Sequence, residues 1–532
     1  VGVILIIVAI EATRQSWGII LPIVTIIAIL YAFTCQYWPG AFYHSPYSLN
    51  YLLSHLSAGF SGMYGGTALG VSANYIFLFI VFGALLQVSG STGFFMEAGK
   101  LAARRLRGGP AQTAVVSSLL VGMVTGSAVA NVALTGAFTI PLMKKVGYAP
   151  YQAGAIEATA SSAGQITPPV MGASAFMMAA ITGILYFDIV VASFIPALLY
   201  YVAVGCYCEM AARRRGLHPP PEKVDYRLMF SRAPLFFVPL GILVYLLAQY
   251  YSPMFAIFWG VLAVVIVSLI RKDTRQPFRE WRKGIVEGAV TGAKMAVSVA
   301  AIGFIISVFS FTGLGMKLSG MVETWSLGYL WLGAILTMLV SLILGCGMPT
   351  LAAYLLVAFM VAPVFVNWGV GLLQAHLFCF YFAVISAVTP PVALAALVGA
   401  GMAGAPYFKT AMEAWKISVP AYIVAYALIW NPTLILQPPS LVVGVLTLLA
   451  MCLGLLAFAS VVNLQFLTRL NLLEVLTVAL IAAGSFVYVF TMNYWFLVAG
   501  GALFAIFALW QRQRQKAEDT GAIPVPVPTM EG

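Results

Sequence analysis

Apolar residues fill this chain in blocks of about 20, the length a helix needs to cross a bilayer, separated by short polar stretches. The blocks predict spans over 17–34, 68–89, 189–212, 234–249, 254–270, 277–313, 418–436, 441–467, 472–492 and 495–510. Amphipathic stretches over 48–64, 94–106, 277–290 and 314–325 predict helices lying along the membrane surface. Four glycine- or proline-punctuated stretches do not fit a single crossing: 109–143, 151–184, 328–368 and 372–404.

Two of these carry the same interruption, Thr167-Pro168-Pro169 and Thr389-Pro390-Pro391. Proline removes a backbone donor and clashes with the carbonyl four residues back, so each site breaks a helix. Within a bilayer such a break is tolerated where the chain lines a protein cavity or a ligand site. As one straight helix, 151–184 would be about 51 Å long, more than a membrane is thick. A broken path is therefore expected.

The other two are predicted to be re-entrant hairpins. Arg104, Arg105 and Arg107 precede 109–143, and Lys144 and Lys145 follow it. A single crossing would place one basic cluster outside, against the cytoplasmic bias of such residues. Each limb is about 16 residues, or about 24 Å of helix, short of the roughly 30 Å hydrocarbon core. The same topology puts Arg213-Arg214-Arg215, Arg271, Lys272, Lys409, Lys416 and Arg469 in the cytoplasm, and starts the 328–368 hairpin outside. Two hairpins from opposite faces, each followed by its own Thr-Pro-Pro break at Thr167 or Thr389, predict an inverted repeat.

Composition agrees. About 62% of the chain is hydrophobic and 8% charged, against a soluble average of about 25% charged. The net charge of +11 lies in short loops, so it points to the cytoplasmic membrane face rather than to nucleic acid. Cys206 and Cys208 have no further Cys or His pair nearby and read as small buried hydrophobes. Residues 1–10 resemble the tail of a span, and an earlier N-terminal portion is expected. The proline-rich 512–532 is expected to be a disordered tail.

Hairpin tips and breaks offer small polar residues and free backbone groups near mid-membrane. The first half supplies Thr125, Gly126, Ser127, Asn131, Ser161, Ser162, Gln165, Thr167 and Pro168. The second supplies Gly345, Gly347, Thr350, Ser386, Thr389 and Pro390. Carbonyls at helix C-termini suit Na⁺, and N–H groups at helix N-termini suit carboxylates. Candidate Na⁺ ligands are Thr125, Gly126, Ser127, Thr167, Gly345, Gly347 and Thr389. Candidate substrate contacts are Ser127, Asn131, Gln165, Thr167, Pro168, Gly347, Thr350, Thr389 and Pro390. Glu157 is the carboxylate on the helix feeding the first break. It either carries a coupling proton, orients the hairpin, or sits in interfacial water. Residues seven or eight apart share a helix face, so Glu157 and Gln165 are expected to point together toward the first hairpin. Asp188 is expected to cap a helix N-terminus.

An enzyme reading finds no support. HExxH is absent, the four histidines form no metal spacing, and no aspartate stands in a Gly-x-Gly-Asp setting. Gly59-Phe60-Ser61-Gly62 matches the Gly-x-Ser-Gly of rhomboid proteases but lies in the amphipathic 48–64 stretch, and is read as chance.

Gly126-Ser127-Ala128-Val129-Ala130-Asn131-Val132, Thr139-Ile140-Pro141-Leu142-Met143-Lys144 and Gly164-Gln165-Ile166-Thr167-Pro168-Pro169-Val170-Met171-Gly172 together resemble the membrane subunit of TRAP transporters, TAXI branch. Glu11-Ala12-Thr13-Arg14 with Trp17-Gly18 resembles the end of a small membrane subunit fused ahead of the large one. The resemblance implies an all-α polytopic membrane protein, an inverted-repeat elevator-type transporter with two re-entrant helical hairpins and two broken helices. It divides the chain into a small-subunit remnant (1–66), a first repeat (67–212), a linker and helix pair (213–276), a second repeat (277–436) and a C-terminal membrane extension (437–511). It implies cation-coupled uptake of a small organic acid (a carboxylate) across the bacterial inner membrane. Na⁺ or H⁺ would be the coupling ion, no other cofactor would be needed, and a periplasmic TAXI-type binding protein would deliver substrate. A stand-alone divalent-anion elevator transporter is the alternative; its Ser-Asn-Thr motifs are absent here.

Overall fold

The computed structural model describes all residues except 58–61, 65, 218–221 and 521–532. The Gly-x-Ser-Gly match falls largely on residues outside this set, as does most of the expected disordered tail. Helices carry the fold among the described residues, and ten of them are long and apolar enough to cross a membrane.

The two halves repeat element by element. Arm helices Thr92–Ala103 and Leu314–Trp325 begin at the same offset along the chain as Thr167 and Thr389. Hairpins follow, formed by Pro110–Thr125 with Ala128–Lys145 and by Leu330–Gly345 with Thr350–Asn367. Then come the broken helices, Pro150–Ala163 with Ala173–Thr182 and Leu372–Ile385 with Leu394–Ala403. Closing helices Tyr186–Arg214 and Tyr407–Trp430 begin at nearly the same offset again. The hairpins turn where glycine permits: Gly126 and Gly347 have φ of 57° and 69°, backbone that a Cβ disfavours. Both Pro168–Pro169 and Pro390–Pro391 are cis.

A separate frame packs beside these units. Gly2–Trp17 and Ile20–Thr34 lie against the 35-residue helix Phe278–Thr312, which also packs on Phe77–Val88. Gly284, Gly288 and Gly292 line that last contact; a Cβ on Gly288 would stand 3.1 Å from the Val81 Cα. Small residues one turn apart let helix backbones approach where lipid offers no hydrophobic drive.

Several boundaries differ from expectation. The helix expected to start at 234 begins at Tyr226, because Asp225 accepts a 2.9 Å bond from the Leu228 N–H and so caps it. The helix expected from 418 begins at Tyr407, its first turns carrying Lys409, Glu413 and Lys416 at the polar boundary. The last helix, Tyr494–Asp519, runs past residue 511 into the stretch expected to be tail. Its added turns are held by Arg514, which pairs with the buried Glu474 at 2.7 Å. Asp188 lies in the first turn of its helix, and Leu185 holds the cap position instead.

Candidate transport site

Each break satisfies its freed backbone groups in the same way. The first half-helix tightens into a 3₁₀ turn at Gly164–Ile166, and the Thr167 hydroxyl donates to the Ala163 carbonyl at 2.7 Å. The Gly172 N–H returns to the Gln165 carbonyl at 2.7 Å. In the second repeat the turn is Ser386–Val388, and Thr389 donates to the Ile385 carbonyl at 2.9 Å. A tyrosine from the next helix then clamps each proline pair. Tyr186 lies 3.0 Å from the Pro169 carbonyl and 2.5 Å from that of Val170. Tyr407 donates to the Pro391 carbonyl at 2.7 Å and accepts from the Ala393 N–H at 2.8 Å. Sequence reasoning missed both. Their signal was positional, since each tyrosine is the first residue of its closing helix and holds the same place in its repeat.

Each hairpin tip rests on the break of its own repeat. A Cβ on Gly126 would stand 2.4 Å from the Met171 carbonyl oxygen, so only glycine lets the first tip come this close. Ser127 caps the returning helix, its hydroxyl accepting from the Ala130 N–H at 3.4 Å. The Thr125 hydroxyl is buried without a hydrogen-bond partner. Beside it a cavity of about 30 Å³, room for one water-sized occupant, is walled by Thr125, Gly126, Met171 and Phe176. At the second tip Ser386 donates to the Gly345 carbonyl at 3.2 Å. Gly347 faces Val392 on one side and Ile20 of the frame on the other. The two breaks also meet, since each 3₁₀ turn packs against the broken helix of the other repeat. The fold thus brings the two breaks together, each with its own hairpin tip beside it. Asn131, a predicted substrate contact, is fully buried and donates to the Ser118 carbonyl at 2.8 Å and that of Ser161 at 3.4 Å. It ties hairpin to broken helix.

Glu157 is fully buried, so the interfacial-water alternative falls away. Ser118 donates to its Oε1 at 2.8 Å and Ser161 at 3.0 Å. Thr135 also bonds Oε1, and Thr139 bonds Oε2. Burial opposes the charged carboxylate, and four hydroxyl donors support it. Thr135 and Thr139 each have another acceptor, the backbone carbonyl four residues back, at 2.8 and 3.0 Å. A protonated Glu157 can therefore donate to one of these hydroxyls while that hydroxyl turns to its carbonyl. Both protonation states leave the cluster satisfied. As expected, Glu157 points at the first hairpin. Gln165, eight residues on, is buried at the break.

The second repeat has nothing equivalent. At the offset that carries Thr167 onto Thr389, the counterparts of Thr135, Thr139, Glu157 and Ser161 are Val357, Val361, Cys379 and Ala383, all buried. The carboxylate and its hydroxyls belong to one repeat only.

Residues 4–437 match the family described as "Tripartite ATP-independent periplasmic transporter, DctM component". A protein of Sinorhizobium fredii described as uncharacterized is 26% identical over 67% of this chain and 86% of its own. The C4-dicarboxylate TRAP transporter large permease protein of Pseudomonas aeruginosa is 22% identical over 65% of this chain and 81% of its own. The sialic acid TRAP transporter permease protein of Haemophilus influenzae is 22% identical over 69% of this chain and 59% of its own. Paired hairpins, paired breaks and a family match over most of the length agree, and the chain belongs to the DctM component family of tripartite ATP-independent periplasmic transporters.

Proposed function

We propose that this chain is the membrane component of a cation-coupled secondary transporter that takes up a small organic acid, a carboxylate, across the bacterial inner membrane. The observation that carries this is the packing of each break against the broken helix of the other repeat, with each hairpin tip seated on the break of its own repeat. Broken helices offer N–H groups to a carboxylate and carbonyls to a cation without burying a side-chain charge. Relatives named for C4-dicarboxylate and sialic acid support an organic acid as cargo.

A periplasmic binding protein of the TAXI type is the proposed donor of substrate, on the strength of the motifs around Ser127 and Thr167. The fused small-subunit reading is weaker, because the DctM match begins at residue 4 and takes in the helices assigned to that subunit. The proposed movement is an elevator. Hairpins and broken helices would shift as a block against the frame of Gly2–Trp17, Ile20–Thr34 and Phe278–Thr312.

Two features suit a coupling ion. The unpartnered Thr125 hydroxyl beside a water-sized cavity that Gly126 also walls suits Na⁺ at the first tip, whereas the other two candidate ligands of this half, Ser127 and Thr167, do not line that cavity. The Glu157 cluster suits a proton. Reconstitution with the binding protein, under a Na⁺ gradient and a proton gradient imposed separately, tests both. Uptake that follows either gradient supports the reading and selects the ion. Uptake indifferent to both overturns coupling.

A further inference from the structure

Lys294 stands on the frame helix Phe278–Thr312 close to where both hairpin tips meet the frame. It is exposed, and among the described residues its ammonium makes no hydrogen bond or ion pair. The next residue, Met295, walls the first-tip cavity together with Thr125 and Gly126. The Lys294 carbonyl accepts from the Trp17 indole N–H at 2.8 Å. Shortly beyond Trp17, Ile20 meets the second tip: a Cβ on Gly347 would stand 2.0 Å from the Ile20 Cδ1.

Lys294 also lies deep. Gly284 packs on Val88, just ahead of the arm Thr92–Ala103, and the arm Leu314–Trp325 follows the far end of the helix. From Gly284 to Thr312 the helix covers about 42 Å, and Lys294 lies about 15 Å along it. That is within a hydrocarbon core of roughly 30 Å centred between the arms. A lysine at such depth faces the bundle interior or water rather than lipid. Lys283, Glu287 and Thr291 continue the same helix face toward the cytoplasm, and all are exposed. Glu287 is engaged by Lys283 at 3.8 Å and stands about 10 Å, two turns, from Lys294.

We propose that this polar stripe walls a hydrated passage from the cytoplasm to the hairpin tips, and that Lys294 is the frame's contact for the carboxylate of the cargo. The tips and breaks offer hydroxyls and backbone groups. Lys294 adds a full charge and three donors, and a charge-assisted bond is the stronger kind. The inference deepens the transport reading and rests on it.

A cysteine reporter in the full chain tests it. Thr291→Cys stands one turn nearer the cytoplasm on the same face, and wild type gives the background from native cysteines. Membrane-impermeant sulfonatoethyl and trimethylammonioethyl methanethiosulfonates, one anionic and one cationic, are applied to inside-out and to right-side-out vesicles. Labelling is expected from the cytoplasmic side alone. Adding Lys294→Gln should lower the anionic-to-cationic rate ratio about tenfold, because a charge about 6 Å away changes each rate about threefold in a water-like medium. Lys294→Arg should keep the ratio. Sodium succinate, against sodium chloride of equal ionic strength, should slow labelling when Lys294 is present and not in Lys294→Gln. Labelling from neither side would place Lys294 among lipid headgroups and overturn the passage, as would labelling from outside alone. A ratio unchanged by Lys294→Gln, or lost in Lys294→Arg, overturns the role of the charge. Succinate that slows neither variant, or both equally, overturns the carboxylate contact. Uptake indifferent to both ion gradients, with the labelling results as expected, overturns the coupled-transport reading and leaves the passage and its anion contact standing.

Discussion

Gly122 of the first hairpin and Gly164 at the first break touch backbone to backbone: a Cβ on Gly122 would lie 2.4 Å from the Gly164 Cα. No side chain can relax such a contact, because the obstacle is main chain on both sides. The approach also brings the Asn131 amide within reach of both helices. Gly122→Ala is expected to cost about 1–3 kcal/mol by overpacking and to depress transport by lifting the hairpin off the break. Gly401 has nothing within 4 Å of its Cβ position, so Gly401→Ala should be neutral or slightly stabilising. Thermal unfolding and uptake measured on both variants check the contrast.

Glu157 separates two roles by its variants. Glu157→Gln keeps one acceptor oxygen for Ser118, Thr135 and Ser161 but cannot release a proton. If Glu157 carries the coupling proton, substrate exchange should survive while concentrative uptake is lost. If it only orders the hairpin, binding and exchange should weaken together. Unchanged concentrative uptake between pH 6 and pH 8 would retire the coupling role.

The second repeat supplies the converse experiment. Cys379→Glu would place a carboxylate where Val357, Val361 and Ala383 offer no hydroxyl. An unpaired buried carboxylate is strongly disfavoured, so the variant should express poorly or unfold several degrees early. Adding Val357→Thr and Val361→Thr should recover part of the loss.

In the linker, Glu222 accepts a 3.3 Å bond from the Thr113 hydroxyl. Burial pushes its carboxyl above the ordinary range, partly offset by that bond and by Lys100. A folded-state value above the unfolded one of about 4.3 means the folded protein binds this proton more tightly. Its stabilising contribution is complete below the unfolded value and is lost as pH rises through the folded one. Glu222→Gln should therefore raise the unfolding temperature at pH 7 relative to wild type, with the difference vanishing below about pH 4. A difference that persists in acid would contradict this.

At the C-terminus, Glu474 is buried and meets Arg514 at 2.7 Å and Gln511 at 3.0 Å. It also accepts from the Asn471 N–H at 2.5 Å. Removing one partner of a buried pair leaves a charge uncompensated, at about 3–5 kcal/mol. Arg514→Ala should loosen helix Tyr494–Asp519, and limited proteolysis should then cut near residue 511 first. Cleavage of wild type and variant at equal rates would show that the pair does not hold the helix.

Much of this architecture was legible in the sequence because its causes are local. Proline stops a helix by its own ring and missing donor, so Thr167-Pro168-Pro169 and Thr389-Pro390-Pro391 announce the breaks wherever the chain goes. Gly126 and Gly347 announce the tips for the same reason. The apolar run lengths and the placement of arginine and lysine set which segments are long enough to span and which are too short. What the tertiary structure decided were the partners. The environment of Glu157 depends on Ser118, Thr135, Thr139 and Ser161, which are scattered along the chain on three helices. No pattern along one segment states that their hydroxyls converge. The continuation of the last helix past residue 511 was hidden likewise, since its polar face is held by Glu474 on the preceding helix. The tyrosine clamps on the prolines came from the following helix for the same reason. A helix or a break is set by bonds within a few residues, whereas a buried polar contact is set by which helices pack together.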